Sequence, residues 1–303
     1  MGLRHVALAF TLIFTLASLG SLALRGLSLG IDFAGGILIE ARSVQPIDTG
    51  ALRNGLDRLE LGEVVIQTSG GNHAILIRVQ EQPGNQAAQT RAITAIRNIL
   101  GPSYEVRRTE FIGPQISRDL LIDALLASGL AIILIAIYVW FRFEWQFGVS
   151  ALITTLHDVI ATFGLFSLLH LEFNMTVVAA ILTIAGYSIN DTVVVFDRIR
   201  ENLRRHKKTN LRELINLSVN QTLSRTVLTS GTTLLAVLAL LFFGGPVLRN
   251  FAAALTWGIL IGTYSSIFVA SVLLLFMPPL RTVQDTNEPA DDDQAQPTSA
   301  DPS

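Results

Sequence analysis

The stretch MTVVAAILTIAGYSINDTVVVFDRIREN, residues 175–202, decides how the chain is read. Its first half is apolar. An Asn-Asp pair, Asn190 and Asp191, then stands directly against Val-Val-Val-Phe. A carboxylate inside a lipid-soluble run is costly and by default marks function. At 1.5 Å per residue, Asp191 lies about 24 Å along a helix that begins near Met175. Positive charge follows at once. From Asp197 to Arg225 there are eight Lys/Arg (Arg198, Arg200, Arg204, Arg205, Lys207, Lys208, Arg212 and Arg225) against three acids, Asp197, Glu201 and Glu213. Basic segments beside spans mark the cytoplasmic side. The stretch therefore reads as a membrane helix running inward, with its carboxylate in the inner third.

The whole composition agrees. The 303 residues are 50% hydrophobic and 15% charged, with mean hydropathy +0.50; a soluble domain carries about 25% charged residues. Runs long enough to cross a bilayer fall at about 6–24, 120–141, 147–169, 174–196, 224–243 and 252–277. Counting spans from the basic loop, at about 197–223, puts both termini in the cytoplasm. Arg4 and Arg142 agree, and the outer loops HLEFN and GGPVLRN hold only Arg249. Topology accounts for the basic loop without a nucleic-acid partner. The first run exceeds the length of a signal-peptide core and lacks an A-x-A site, so it reads as a retained span. The chain has no cysteine, which excludes disulfides, thiolate metal sites and cysteine nucleophiles.

Residues 1–29 thus form the first span, 30–116 an outer insertion, 117–280 the other five spans and 281–303 a tail. The insertion alternates in pattern. ILIEAR (37–42), VVIQTS (64–69), HAILIRVQ (73–80) and YEVRRTEFIG (104–113) read as strands, with GGN as a hairpin signal. Residues 49–60 and 85–100 have helical spacing. The order β-α-β-β-α-β predicts a small ferredoxin-like α+β domain. It carries no catalytic constellation; His73 reads as a surface residue, and the chain is expected not to be an enzyme. The tail has six acids and three prolines and is expected to be disordered.

Three spans carry groups that chemistry needs. His157 and Asp158 fall in the third, Asn190 and Asp191 in the fourth, Arg225 at the start of the fifth. Thr183, Tyr187 and Asp191 repeat every four residues, as do Thr154, Asp158 and Thr162. Thr222, Arg225, Thr226, Thr229 and Thr233 trace a third stripe. Asp191 and Arg225 share a depth, and opposite charges within about 4–6 Å favour their ionised forms. Rival readings stand beside these: Asp191 as interhelical glue, Arg225 as a snorkelling cation, His157–Asp158 as a structural pair. Gly186, Gly231 and Gly258 read as points of close helix approach.

LGIDFAGG (29–36), FIGPQISRDLL (111–121), GYSINDTVVVFDRIREN (186–202), LSRTVLTSGTT (223–233) and LRNFAAALTWGILIGTYSSIF (248–268) together resemble the SecF family, the smaller membrane subunits of the SecDF protein-export complex. The resemblance covers the chain up to the tail. It implies a polytopic α-helical protein of the RND superfamily in the bacterial inner membrane. It implies pairing with SecD, association with SecYEG and YajC, and contact with translocating preprotein and membrane lipid. The implied activity is proton-driven promotion of export after SecA-driven insertion, with protons as coupling ion and no cofactor or metal. The family's proton-pathway residues fall on Asp191 and Arg225; Asp158 is added from its placement. Asn190, Tyr187 and Thr229 would support that seam. Asp32, Phe33, Gly35 and Gly36 read as a structural junction. Other functions compatible with the polar seam are export of lipids or small molecules, and passive stabilisation of a translocon.

Overall fold

The computed structural model describes residues 2, 4–69, 73–84, 86–207 and 209–278. The GGN turn and the acidic tail lie outside the described residues. Six described helices are long and apolar enough to cross a membrane: α1 (Arg4–Arg25), α5 (Pro114–Arg142), α6 (Trp145–Leu169), α7 (Met175–Arg205), α8 (Leu211–Phe243) and α9 (Gly245–Ser265). The last continues through a π-helical turn, Ser266–Ala270, into the short α10 (Ser271–Leu273). Local chemistry fixes the starts. Asn174 caps α7 by accepting from the Val177 N–H, Asn210 caps α8 through the Arg212 N–H, and Pro114 opens α5.

The helices cluster around α7, which packs against α6, α8 and α9, while α1 lies along α6. Glycine permits two of these approaches. A Cβ on Gly164 would run into Ser18 of α1, and one on Gly258 would run into the Ile184 side chain of α7. Gly186 and Gly231 do not do this; a Cβ at either would meet nothing within 4 Å. The outer faces of α1 and α5 are left apolar and exposed, as at Leu12, Leu125 and Leu130, in keeping with a lipid environment.

The basic segment is not a loop. α7 runs to Arg205 and α8 starts at Leu211, so both extend past their apolar runs as a helical hairpin. Phe196, Ile199, Leu203, Leu214 and Ile215 pack there with Ala270 and Leu274. Apolar residues at helical spacing hold the hairpin shut, Arg198 donates across it to Gln221, and Arg204, Arg205, Lys207 and Arg212 are exposed. GGPVLRN is likewise mostly helix, because only Gly244 separates α8 from α9.

Residues between α1 and α5 form β1 (Ser28–Leu29), α2 (Ile31–Ala34), β2 (Gly36–Ser43), α3 (Thr49–Asp57), β3 (Val64–Ser69), β4 (Ala74–Val79), α4 (Gln86–Leu100) and β5 (Tyr104–Ile112). β2 to β5 make an antiparallel sheet in the order β3-β4-β2-β5. Alternation decides the faces. Ile37, Ile39 and Ala41 of β2 and Ile75, Ile77 and Val79 of β4 are buried against Leu52, Leu56, Ala92 and Ile96 of α3 and α4. The opposite face, with Leu38, Glu40, Leu76 and Arg108, looks onto the end of the helix bundle across a cavity of about 540 Å³. β1 pairs in parallel with β6 (Glu172–Phe173), the link between α6 and α7, and so ties the insertion to the bundle.

Candidate functional site

The junction LGIDFAGG is built from contacts its residue types allow. Gly30 donates to the Phe173 carbonyl at 2.8 Å, extending the β1–β6 pair. Asp32 accepts from the Met175 N–H through Oδ2 at 2.7 Å. That places a carboxylate on the N-terminus of α7, where free N–H groups and the helix dipole favour it. Phe33 stacks on Phe173 at 5.8 Å between ring centroids. Gly35 and Gly36 have φ of 72° and 113°, and a Cβ on Gly36 would strike the Val79 carbonyl. The Gly-Gly pair thus turns the chain into β2 directly beside β4. Arg78 of β4 donates to the Leu29 carbonyl at 2.5 Å. Next to it Glu172 is buried, 7% exposed. Burial raises its pKa, Arg78 works against the rise, and Asp32 adds to it. Composition gave no hint of Glu172; only the β1–β6 pairing brings it into this corner.

In the bundle, Asp158 and Asp191 are the two buried carboxylates, 0% and 7% exposed. Asp158 Oδ2 accepts from Ser188 at 2.5 Å and from Ser265 at 2.8 Å, and its Oδ1 meets His157 Nδ1 at 2.9 Å. Asp191 Oδ1 accepts from Thr226 at 2.8 Å, and its Oδ2 from Ser266 at 2.7 Å. Consecutive serines therefore reach carboxylates on two different helices, α6 and α7, from the point where α9 passes into its π turn. Such turns recur at functional sites. Beyond them, Tyr187 donates to Ser230 at 3.2 Å and Thr263 to Ser230 at 2.7 Å. The His157 Nε2 is buried without a partner among the described residues.

The stripes read from spacing are only partly brought together. Thr154 and Thr162 are buried, but their hydroxyls bond back to Ser150 and Asp158 carbonyls of α6. Tyr187 is half-buried, and Thr183 is exposed. The α8 stripe splits: Thr222 and Thr226 face α7, whereas Arg225 and Thr229 are exposed. Arg225 does not meet Asp191, and among the described residues no ion pair includes it. Residues 225 and 226 point about 100° apart on a helix, so the hydroxyl and the guanidinium cannot both face the carboxylate. Asn190 is exposed for the same reason, one residue round from Asp191. Ser188, Ser230, Ser265 and Ser266 were not singled out from sequence. A serine within an apolar run reads as a small filler residue until its partner is known.

Residues 92–279 match the C-terminal family of SecD/SecF protein export membrane proteins, and residues 20–47 match the SecD/SecF GG motif. The chain is 43% identical over 278 residues to the protein translocase subunit SecF of Rickettsia conorii, covering 90% of each. The chain belongs to the SecF family of protein translocase subunits. Its Rhodobacter capsulatus relative is 44% identical over 267 residues, 83% of this chain and 80% of that one. A crystal structure of SecDF, a translocon-associated membrane protein from Thermus, matches with TM-score 0.83 at 40% identity over 91% of this chain. SecDF in a super-membrane-facing form matches at 0.64 and 39% over the same share. The chain spans 38% of the length of each solved SecDF chain. As a SecF-family member with six apolar helices, it is a multi-pass bacterial membrane protein.

Proposed function

We propose that this chain is the SecF half of a proton-coupled export motor, in which Asp158 and Asp191 take up and release the coupling protons. The observation that carries this is the identity of their partners. Asp191 is held by hydroxyls alone, and Asp158 by hydroxyls and one imidazole. A hydroxyl donates to a carboxylate and accepts from a carboxylic acid, so either protonation state keeps its bonds. A buried partner cation would instead be stranded on protonation.

The insertion is extracytoplasmic in this reading, a ferredoxin-like unit that moves with the bundle end on which it rests, and both termini are cytoplasmic. SecD supplies the matching half. Arg225 and Thr229 of α8 and Asn190 of α7 are exposed, and an Arg facing lipid within a span is expensive. SecD covers this strip and gives Arg225 its acceptor. SecYEG, YajC and the translocating preprotein complete the assembly. One proton crossing 100 mV supplies about 2.3 kcal/mol, whereas near-complete switching of a two-state bundle takes about 5.5 kcal/mol. More than one proton per cycle is therefore needed. The two SecDF structures match this chain unequally over the same share, at TM-scores of 0.83 and 0.64, which supports a fold with more than one arrangement.

The test is proton flux into liposomes holding the complete SecD–SecF complex, read by an internal pH dye during export. Wild type is expected to admit protons, and Asp191→Asn to abolish the flux with assembly intact. Undiminished flux in that variant would favour a passive, stabilising subunit.

A further inference from the structure

Ser265 and Ser266 share a fallback acceptor. Besides its carboxylate, Ser265 Oγ reaches the Gly262 carbonyl at 3.1 Å, and Ser266 Oγ reaches the same carbonyl at 2.8 Å. That oxygen already accepts the backbone N–H of Ser266. A carbonyl oxygen has two lone pairs, so one remains for two hydroxyls. Ser266 has another acceptor only at 3.3 Å, on Thr263.

Each serine carries a single proton to donate. While its carboxylate is ionised, that proton points to the carboxylate. When the carboxylate is protonated on Oδ2, the oxygen that the serine bonds, its new O–H donates to the serine oxygen, and the serine proton turns back to Gly262. Only one serine at a time has a good place to turn. We propose that Ser265 and Ser266 form a hydrogen-bond toggle that makes Asp158 and Asp191 bind a proton alternately, one at a time. The proposal rests on the proton-coupled reading only for its use in export. The two serines are positioning residues, acting through the carboxylates.

The remaining donors, Ser188 to Asp158 and Thr226 to Asp191, come from α7 and α8 and do not share the Gly262 carbonyl. Within one helical turn of the two carboxylates and the two serines, the other titratable side chains are His157 on α6, bonded to Asp158, Tyr187 on α7, bonded to Ser230, and Tyr264 on α9, bonded to Thr11 and the Ala7 carbonyl of α1. Arg225 of α8 faces outward. The π turn itself is held by side chains, since Ser150 donates to the Ala270 carbonyl at 2.8 Å and Ser271 to the Ser266 carbonyl at 3.3 Å.

The two carboxylates also repel each other directly, so alternation alone is not decisive; its dependence on the hydroxyls is. Infrared titration of the carboxylic-acid band in the reconstituted SecD–SecF complex counts protons on the pair. Asp158→Asn and Asp191→Asn assign the band and give each group's uptake with the other held neutral. Comparing these with the pair gives the factor by which one proton excludes the second. That factor is expected to fall about tenfold in Ser265→Ala or Ser266→Ala, the worth of one hydrogen bond to a charged group, and to return with Ser265→Thr or Ser266→Thr. An unchanged factor in both Ala variants overturns the toggle, even if export is gradient-driven. A toggle that persists while export ignores the gradient would overturn only the proton-driven reading.

Discussion

Among the described acidic residues outside the spans, Glu172 is the one whose pKa is clearly moved by its surroundings. It stands where the insertion meets the bundle, between Asp32 and Arg78, and burial favours its neutral form. Its folded pKa is raised above the ordinary 4.5. The stability it contributes is therefore fully present below pH 4.5 and is lost as pH climbs through the raised value. Glu172→Gln keeps the shape and cannot ionise. Thermal unfolding of the purified protein between pH 4 and roughly pH 7 should show wild type losing stability with rising pH more steeply than the variant. Equal slopes would sink this account of Glu172. The same scale shows where sequence stops being informative. Asp158 and Asp191 stood out because a carboxylate in an apolar run is expensive. Their serine donors did not, because serine is cheap there and its partner lies more than 70 residues away for Ser266 and more than 100 for Ser265.

Elements were the most legible level. Apolar length marked every span, and period-two alternation marked each strand of the insertion to within about two residues, as boundary fraying allows. The hairpin joining α7 to α8 is masked in the sequence by its charges, although Phe196, Ile199 and Leu203 repeat at helical spacing on α7 and meet Leu214 and Ile215 of α8 on its buried side. Which way a helix faces was also hidden. Arg225 and Thr226 are neighbours in sequence, and only the packing of α8 on α7 separates an outward cation from an inward hydroxyl. Packing by glycine was legible at one of the three positions read for it. Gly258→Ala drives a methyl into Ile184 and should cost about 1–3 kcal/mol of stability. Gly231→Ala, in open space on α8, should instead stabilise by about 0.5–1 kcal/mol through helix propensity. Unfolding midpoints of the two variants in the same detergent check both signs; a tolerated Gly258→Ala would mean that α7 and α9 are not held this close.

At the scale of the whole molecule, the strip of Arg225, Thr229 and Asn190 faces outward, while the hydroxyls that donate to the buried carboxylates come from this chain. The β1–β6 pair, the Phe33–Phe173 stack and the bond from Asp32 to the start of α7 join the insertion to that core. α7 also carries Asp191, so under the proposed proton coupling a shift of α7 would reach the junction directly. The most direct test is release of an exported protein from inner-membrane vesicles holding the full complex, with and without an imposed proton gradient. Asp158→Asn and Asp191→Asn are predicted to assemble normally and to lose the gradient-dependent part of release while keeping the part driven without it. Full gradient-dependent release in both variants would contradict the account.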